Sequence, residues 1–418
     1  MRRIKQESYF PAIIFGHFLL WLVDLLRYSG DHPLGSLNIA GEVFSSWAVT
    51  VIAINFLMAT KARWVERLFG GLDKMYMIHR RSGIIATALL IIHFIIIPRD
   101  PVFIIGKPLG FFALVLLLVG IVLSAAPFVK RIFPYGRWRM THKLMGVAYI
   151  LGVAHVYNVS TLTSELPLVR SYVSAMMFIG VAAWIYKVFL YGLFNRKIPY
   201  EVTRIEHFED DTSKLILQPQ GEKRLDFNVG QFAFFSIPDL GTKEAHPFTL
   251  SSHPVDSDLC VTVKSLGDYT ADLQQNLKVG ASVQVEGPFG LFDYQTARFK
   301  KQIWLAGGIG ITPFLPFLQN LEPEHEVTLV WAVRSSKSTF YREKIESLAK
   351  KNPGLEFILN ISDQQGRFTI DQRFSSSNLK GRSVMICGPE AMREGYIKQL
   401  LEKGVSFRDI HFEEFSFR

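Results

Sequence analysis

Four histidines stand at spacings suited to binding metal. His79 and His93 lie 14 residues apart in one apolar segment, and His142 and His155 lie 13 apart in another. Neutral imidazole is a strong ligand for haem iron, and a low-spin electron-transfer haem takes one on each face. At helical rise the two separations are about 21 Å and about 20 Å. That match lets His79 face His142 while His93 faces His155, for two haems stacked along the helices. One shared zinc ion is excluded, because ligands about 20 Å apart on one helix cannot meet at one metal. The angular fit is poorer: thirteen residues leave His155 about 140° around an ideal helix from His142. Gly146 and Gly152 lie between them and permit a bend. His17 is a lone polar residue in an apolar segment and reads as structural.

A second set of residues suits a flavin. In His246-Pro247-Phe248-Thr249-Leu250-Ser251-Ser252 an aromatic ring is followed by small hydroxyls, a combination that stacks on an isoalloxazine and bonds its edge. Thr249 and Ser252 are candidates for that edge. About 20 residues on, Lys264, Gly267 and Thr270 precede a helix expected at about 270–277, whose free N–H groups and neighbouring cation suit a pyrophosphate.

A third set suits a nicotinamide nucleotide. The strand Ile303–Ala306 runs into Gly307-Gly308-Ile309-Gly310-Ile311-Thr312-Pro313 and then a helix. Glycines let the backbone approach a phosphate, and Pro313 suits the first helical turn. The next strand ends at Arg334-Ser335. An acid there would hold a ribose hydroxyl, whereas Arg and Ser fit a 2′-phosphate, which favours NADPH over NADH. Cys387 and Gly388 end a later strand at the sheet edge where ligands of such sheets bind.

The elements that must position these residues divide the chain in two. Mean hydropathy is positive, and the apolar residues concentrate in the first half. Six apolar segments run at about 9–27, 40–60, 77–97, 108–128, 143–160 and 170–194, each near the ~20 residues needed to cross a bilayer. The N-terminal basic and apolar run lacks a small-residue cleavage site and reads as the first spanning helix. The formal charge is +9, but the basic residues sit between apolar segments, which argues for helix orientation and against a nucleic-acid partner. Basic connections alternate with poor ones, so the positive-inside rule puts both termini in the cytoplasm. The two cysteines, Cys260 and Cys387, are far apart and form no disulfide framework.

From Pro199 short alternating runs punctuated by Gly, Pro and Asp read as an antiparallel barrel. From about Lys301 strand and helix alternate, as in a parallel α/β sheet. The expected fold is therefore multi-domain: a six-helix transmembrane haem-binding bundle (1–198), an antiparallel β-barrel flavin domain (199–297) and a parallel-sheet α/β nucleotide domain (298–418).

In these residues the chain resembles the bacterial NADPH oxidase and ferric reductase superfamily over nearly its whole length. The membrane part matches H-x13-H and H-x12-H. The soluble part is similar to ferredoxin–NADP⁺ reductase in HPFTLSS, GGIGITP and CGPEAM. The resemblance implies FAD, two b-type haems and NADPH as cofactors, in a multi-pass cell-membrane protein. It implies that His79 and His142 hold the cytoplasmic-side haem and His93 and His155 the outer one. It implies flavin contacts from His246, Pro247, Phe248 and Thr249, and flavin phosphate contacts from Lys264, Gly267 and Thr270. Gly308, Gly310, Thr312 and Pro313 would bind the nucleotide, with Arg334 on the 2′-phosphate and Cys387 near the nicotinamide. Phe415, or secondly Phe417, would cover the flavin. The implied reaction passes electrons from NADPH to O₂ on the outer face, producing superoxide. Ferric iron is the alternative acceptor, and a catalytically dead membrane anchor is a remote third reading. No EF-hand or long regulatory insertion is present, which implies that no activating subunit is obligatory.

Overall fold

The computed structural model describes the chain apart from residues 1, 29–35, 98–103, 127–128, 130–134, 160, 210, 242–243 and 414–418. Residues 2–10, 36 and 135 are described by backbone alone. The chain forms two compact units, Met1–Asn195 and Arg196–Arg418.

The first unit is helical: α1 (Arg2–Arg27), α2 (Ser36–Ala59), α3 (Arg63–Phe69), α4 (Leu72–Ile96), α5 (Gly106–Ala125), α6 (Tyr135–Lys143), α7 (Met145–Tyr157) and α8 (Pro167–Ile185). Among the described residues four spans are long and apolar enough to cross a membrane: Leu37–Ala59, Leu72–Ile96, Gly106–Ala125 and Pro167–Phe194. The sequence expectation was six. The first apolar segment is helical but has charges at both ends of α1. The fifth, expected at 143–160, is the 13-residue α7, which the polar α6 precedes across Leu144.

Helix α2 packs on α4 and α8, and α5 packs on α7. Buried Ala48, Ala53 and Ala86 allow this close approach, as small residues do between membrane helices. The lipid-type surface is carried by exposed Phe111, Phe112, Val119 and Val122 on α5. Two buried carboxylates fasten the far end of the chain segment to its beginning. Glu42 accepts from the N–H groups of Leu162 (2.8 Å) and Thr163 (2.7 Å), at the start of the helical turn Leu162–Glu165. Asp24 accepts from those of Leu168 (2.8 Å) and Val169 (2.9 Å) in the first turn of α8. Helix starts leave N–H groups without intrahelical acceptors and carry a positive dipole end, so both acids are well placed.

In the second unit β1 (Ile198–Phe208), β2 (Thr212–Pro219), β3 (Phe232–Ser236), β4 (His246–Thr249), β5 (Leu259–Lys264) and β6 (Ser282–Phe289) form an antiparallel sheet in the order β4-β3-β6-β1-β2-β5. A bridge between Leu250 and Val261 joins its two edges, which draws the sheet round a core of Val202, Leu217, Phe235, Val261 and Val285. Helix α9 (Asp268–Asn276) connects β5 to β6 and starts two residues before the expected position.

The remainder is β7 (Lys301–Gly307), α10 (Phe314–Gln319), β8 (Glu326–Val333), α11 (Arg342–Lys351), β9 (Leu355–Ile361), β10 (Ser383–Cys387), α12 (Glu390–Glu402) and β11 (Ile410–Phe412). The strands are parallel, in the order β11-β10-β7-β8-β9. β7 and β10 are buried along almost their whole length, as strands covered on both faces must be. The chain leaves β7 toward β8 and β9, then returns to lay β10 on the other side of β7. The gap between β7 and β10 is therefore the topological switch point, where open α/β sheets bind ligands. Barrel and sheet are tied by the Tyr341 hydroxyl, 2.7 Å from Thr262 Oγ1, and by stacking of Phe208 on Phe340.

Candidate functional site

The structure brings the four membrane histidines together as two pairs. The His79 and His142 ring centroids are 6.0 Å apart, and those of His93 and His155 are 6.5 Å apart. An imidazole nitrogen binds a metal at about 2.0 Å and stands about 1.1 Å from its ring centroid, so two ligands on opposite faces of one iron hold their centroids about 6 Å apart. Both pairs have that separation.

The outer atoms of the rings are engaged as metal-ligating histidines require. His93 Nδ1 is 2.9 Å from the Gly41 carbonyl oxygen and His155 Nδ1 is 2.8 Å from that of Gly106. A carbonyl only accepts, so each Nδ1 carries the proton and each Nε2 keeps its lone pair. His142 Nδ1 is 3.1 Å from Ser124 Oγ.

The helix carrying the 13-residue spacing is irregular at Leu144. Its N–H bonds the carbonyl of Thr141, and its own carbonyl accepts from Val147, both three-residue steps. A 3₁₀ turn advances about 120° per residue against about 100° in an α-helix, so each such residue recovers about 20° and the few here take up part of the offset between His142 and His155. The irregularity lies ahead of Gly146 and Gly152, where the bend was expected. Gly146 instead receives the Trp184 indole.

On the barrel, His246–Thr249 form β4. Antiparallel pairing sets Thr249 opposite Phe232, Phe248 opposite Ala233 and Pro247 opposite Phe234. Thr249 is 6% exposed and its Oγ1 is a buried hydroxyl without a hydrogen-bond partner. Such a group is costly unless a ligand satisfies it, which fits a flavin edge. His246 lies parallel to the Tyr269 ring at 3.5 Å, and burial pushes the Tyr269 phenol up. Ser252 Oγ accepts from Cys260 N at 2.9 Å, which leaves its proton to donate. Lys264 ends β5. The Thr270 hydroxyl accepts from Leu266 N and Gly267 N at 2.9 and 3.0 Å, so it shapes the entry to α9 and leaves the first-turn N–H groups to meet an anion.

The two glycine turns meet at the switch point. Gly308 has φ +54° and its carbonyl is held by Trp331 Nε1 at 2.9 Å. A Cβ on Gly310 would lie 2.3 Å from the Cys387 carbonyl oxygen and 2.9 Å from Gly388 Cα. Thr312 is buried beneath this turn, and Pro313 leads into α10. Arg334 is exposed just past β8, with Nε 3.9 Å from the Asp363 carboxylate, and Ser335 precedes a 3₁₀ turn.

Sequence reasoning passed over Glu413 as a site residue. Its buried carboxylate is 3.8 Å from Cys387 Sγ, which donates to it. Glu413 follows the short strand β11, whose register beside β10 carries the carboxylate back to the switch point. Tyr269, Ser124 and Trp138 were likewise not singled out. Phe415 and Phe417 lie outside the described residues. Among those described, Glu322, Glu324 and His325 have metal-ligand spacing, but Lys300 Nζ already sits 2.6 Å from Glu324.

Residues 44–153 match the family described as ferric reductase like transmembrane component, residues 198–295 an FAD-binding domain, and residues 304–398 an oxidoreductase NAD-binding domain. The chain is 26% identical over 229 residues to the 2-halobenzoate 1,2-dioxygenase electron transfer component of Burkholderia cepacia, covering 52% of this chain and 67% of that protein. It is 29% identical over 222 residues to dual oxidase 2 of Rattus norvegicus, covering 51% and 14%. It is 28% identical over 247 residues to a flavohemoprotein of Candida norvegensis, covering 57% and 62%. Each match takes in little more than half of this chain. Among solved structures, flavohemoglobin from Malassezia yamatoensis aligns with TM-score 0.53 at 16% identity, covering 92% of this chain and 100% of that one, a likeness of fold.

Proposed function

We propose that this chain, an oxidoreductase that joins a ferric reductase-like transmembrane component to FAD- and NAD-binding domains in an NADPH oxidase-like architecture, carries electrons from cytoplasmic NADPH through FAD and two b-type haems to O₂ on the outer face, producing superoxide. The observation that carries the reading is the pairing of His79 with His142 and His93 with His155 at centroid distances of 6.0 and 6.5 Å. When bound, the flavin splits a hydride's electron pair and the haems relay single electrons.

The chain's own residues do the positioning. The switch-point turns at Gly308–Thr312 and Cys387–Gly388 cradle the nucleotide phosphates and nicotinamide, and Arg334 takes the 2′-phosphate. Thr249 offers its hydroxyl to the flavin edge, while Pro247 and Phe248 wall the ring. Lys264, Gly267 and the first turn of α9 hold the flavin phosphates. Cys387 with Glu413 lines the nicotinamide side, and Phe415 covers the flavin. His79 with His142 and His93 with His155 would hold the two irons, which would supply one-electron transfer toward the outer acceptor. Domain limits are 1–198, 199–297 and 298–418, with both termini in the cytoplasm and no obligatory activating subunit.

Ferric iron is the alternative acceptor, favoured by the ferric reductase-like match over residues 44–153. The purified protein given NADPH anaerobically and then air decides. Superoxide dismutase-sensitive cytochrome c reduction is expected. Ferrous-chelator colour without superoxide would transfer the reading to metal reduction, and a haem band that NADPH leaves oxidised would end both.

A further inference from the structure

We propose that Ser124 and Trp138 are positioning residues for His142 and set the reduction potential of the haem held by His79 and His142 separately from that of the other haem. The inference rests on the reading of the four histidines as haem ligands.

Ser124 lies on α5, and Trp138 and His142 lie one turn apart on α6. A serine hydroxyl has one proton to give. Ser124 Oγ gives it to the Gly120 carbonyl at 2.7 Å. Its lone pairs must then accept. One accepts from Trp138 Nε1, a group that only donates, at 3.0 Å. The other accepts from His142 Nδ1 at 3.1 Å. The chain of donors thereby fixes the His142 tautomer, with Nε2 free to bind iron. The Trp138 ring stacks on His142 at 5.1 Å and 27°, which fixes the plane of the imidazole.

The other haem is held differently. His93 and His155 each donate to a backbone carbonyl, at 2.9 and 2.8 Å. The acceptor behind a ligating imidazole raises its basicity, and more basic ligands favour ferric over ferrous iron. A hydroxyl already shared with an indole N–H is a poorer acceptor than a carbonyl. His142 is therefore the less basic ligand, and its haem sits at the higher potential. The outer haem becomes the stronger reductant, on the side where a one-electron acceptor waits.

The test is a potentiometric titration of full-length, haem-loaded protein, with low-temperature EPR of the ferric haems. Ser124→Ala removes the acceptor, and one of the two midpoints is expected to rise while the other stays. Trp138→Phe keeps the stack but frees a lone pair on Ser124, and the same midpoint is expected to fall. Each shift should accompany a change in one low-spin EPR signal only. If Ser124→Ala loses that haem, Ser124→Thr restores it and Trp138→Phe alone decides the sign. Midpoints that stay fixed, that move together, or that move in the same direction in both variants overturn the inference. A wild-type protein lacking two low-spin haem signals overturns the underlying reading instead.

Discussion

Gly110 and His155 pack so closely that a Cβ on Gly110 would stand 2.7 Å from His155 Nδ1 and 2.9 Å from its Cγ. A methyl group there must push the ring off its hydrogen bond to the Gly106 carbonyl. Gly110→Ala is expected to lose the outer haem and keep the inner, so haem content measured as pyridine haemochrome falls by about half relative to wild type. Gly152→Ala, which meets nothing within 4 Å, should retain both. Equal haem in the two variants would contradict the assignment of His155.

The Gly310 site is less forgiving still, because its neighbour is backbone. With the Cys387 carbonyl 2.3 Å from a would-be Cβ, Gly310→Ala must spread the β7 and β10 turns. The KM for NADPH should rise roughly tenfold or more, about 1.4 kcal/mol of binding. Flavin content should stay at the wild-type level, which separates a local effect from misfolding.

Thr249 makes a sharper chemical test. Thr249→Val keeps shape and removes the buried hydroxyl. Flavin reduction by NADPH in stopped-flow is expected to slow by about tenfold to a hundredfold, ~1.4 to ~2.8 kcal/mol of barrier. Thr249→Ser should stay within about threefold of wild type. A Val variant at the wild-type rate would remove Thr249 from the flavin edge.

Arg334 and Asp363 lie side by side past β8, and their side chains suit different nucleotides: a guanidinium suits a 2′-phosphate and a carboxylate suits a ribose hydroxyl. Arg334→Ala should raise the KM for NADPH roughly tenfold and leave that for NADH nearly unchanged. Parallel steady-state assays with both nucleotides measure this, and a uniform change in the two would show that Arg334 does not read the phosphate.

His325 supplies a pH-dependent term in stability. Burial pushes its imidazole below the ordinary 6.5, and Lys300 adds to this while Glu322 and Glu324 oppose it. The unfolded chain takes up a proton below about 6.5 where the folded chain does not, so stability is full above that pH and declines as pH falls. His325→Phe should flatten the fall in Tm between about pH 7 and about pH 5. An unchanged slope would show that His325 titrates alike in both states.

Much of this was legible because it depends on periodicity and local chemistry. The strand alternation of β1, the glycine turns after β7 and β10, and the matched rise of the histidine pairs are all properties of short stretches. What was not legible comes from distance or from local winding. The break at Leu144 falls on ordinary helix formers, Leu144 and Met145, ahead of Gly146 where a bend was expected. Ser124 reaches His142 from another helix. Glu413 comes to Cys387 only because a three-residue strand, too short to stand out, aligns beside β10. Asp24 and Glu42 accept from helix starts more than a hundred residues away in the sequence.

Those two acids carry a consequence for how the bundle is made. The N–H groups that Glu42 and Asp24 receive lie 120 to 145 residues later in the chain. Each carboxylate therefore leaves the ribosome long before the groups that neutralise its burial. During synthesis the first two helices hold carboxyl groups without these partners, which disfavours their settling deep in hydrocarbon alone. Arrival of the Leu162–Glu165 turn and of α8 releases that constraint, so the last long helix of the bundle and the turn before it lock the first two helices into place.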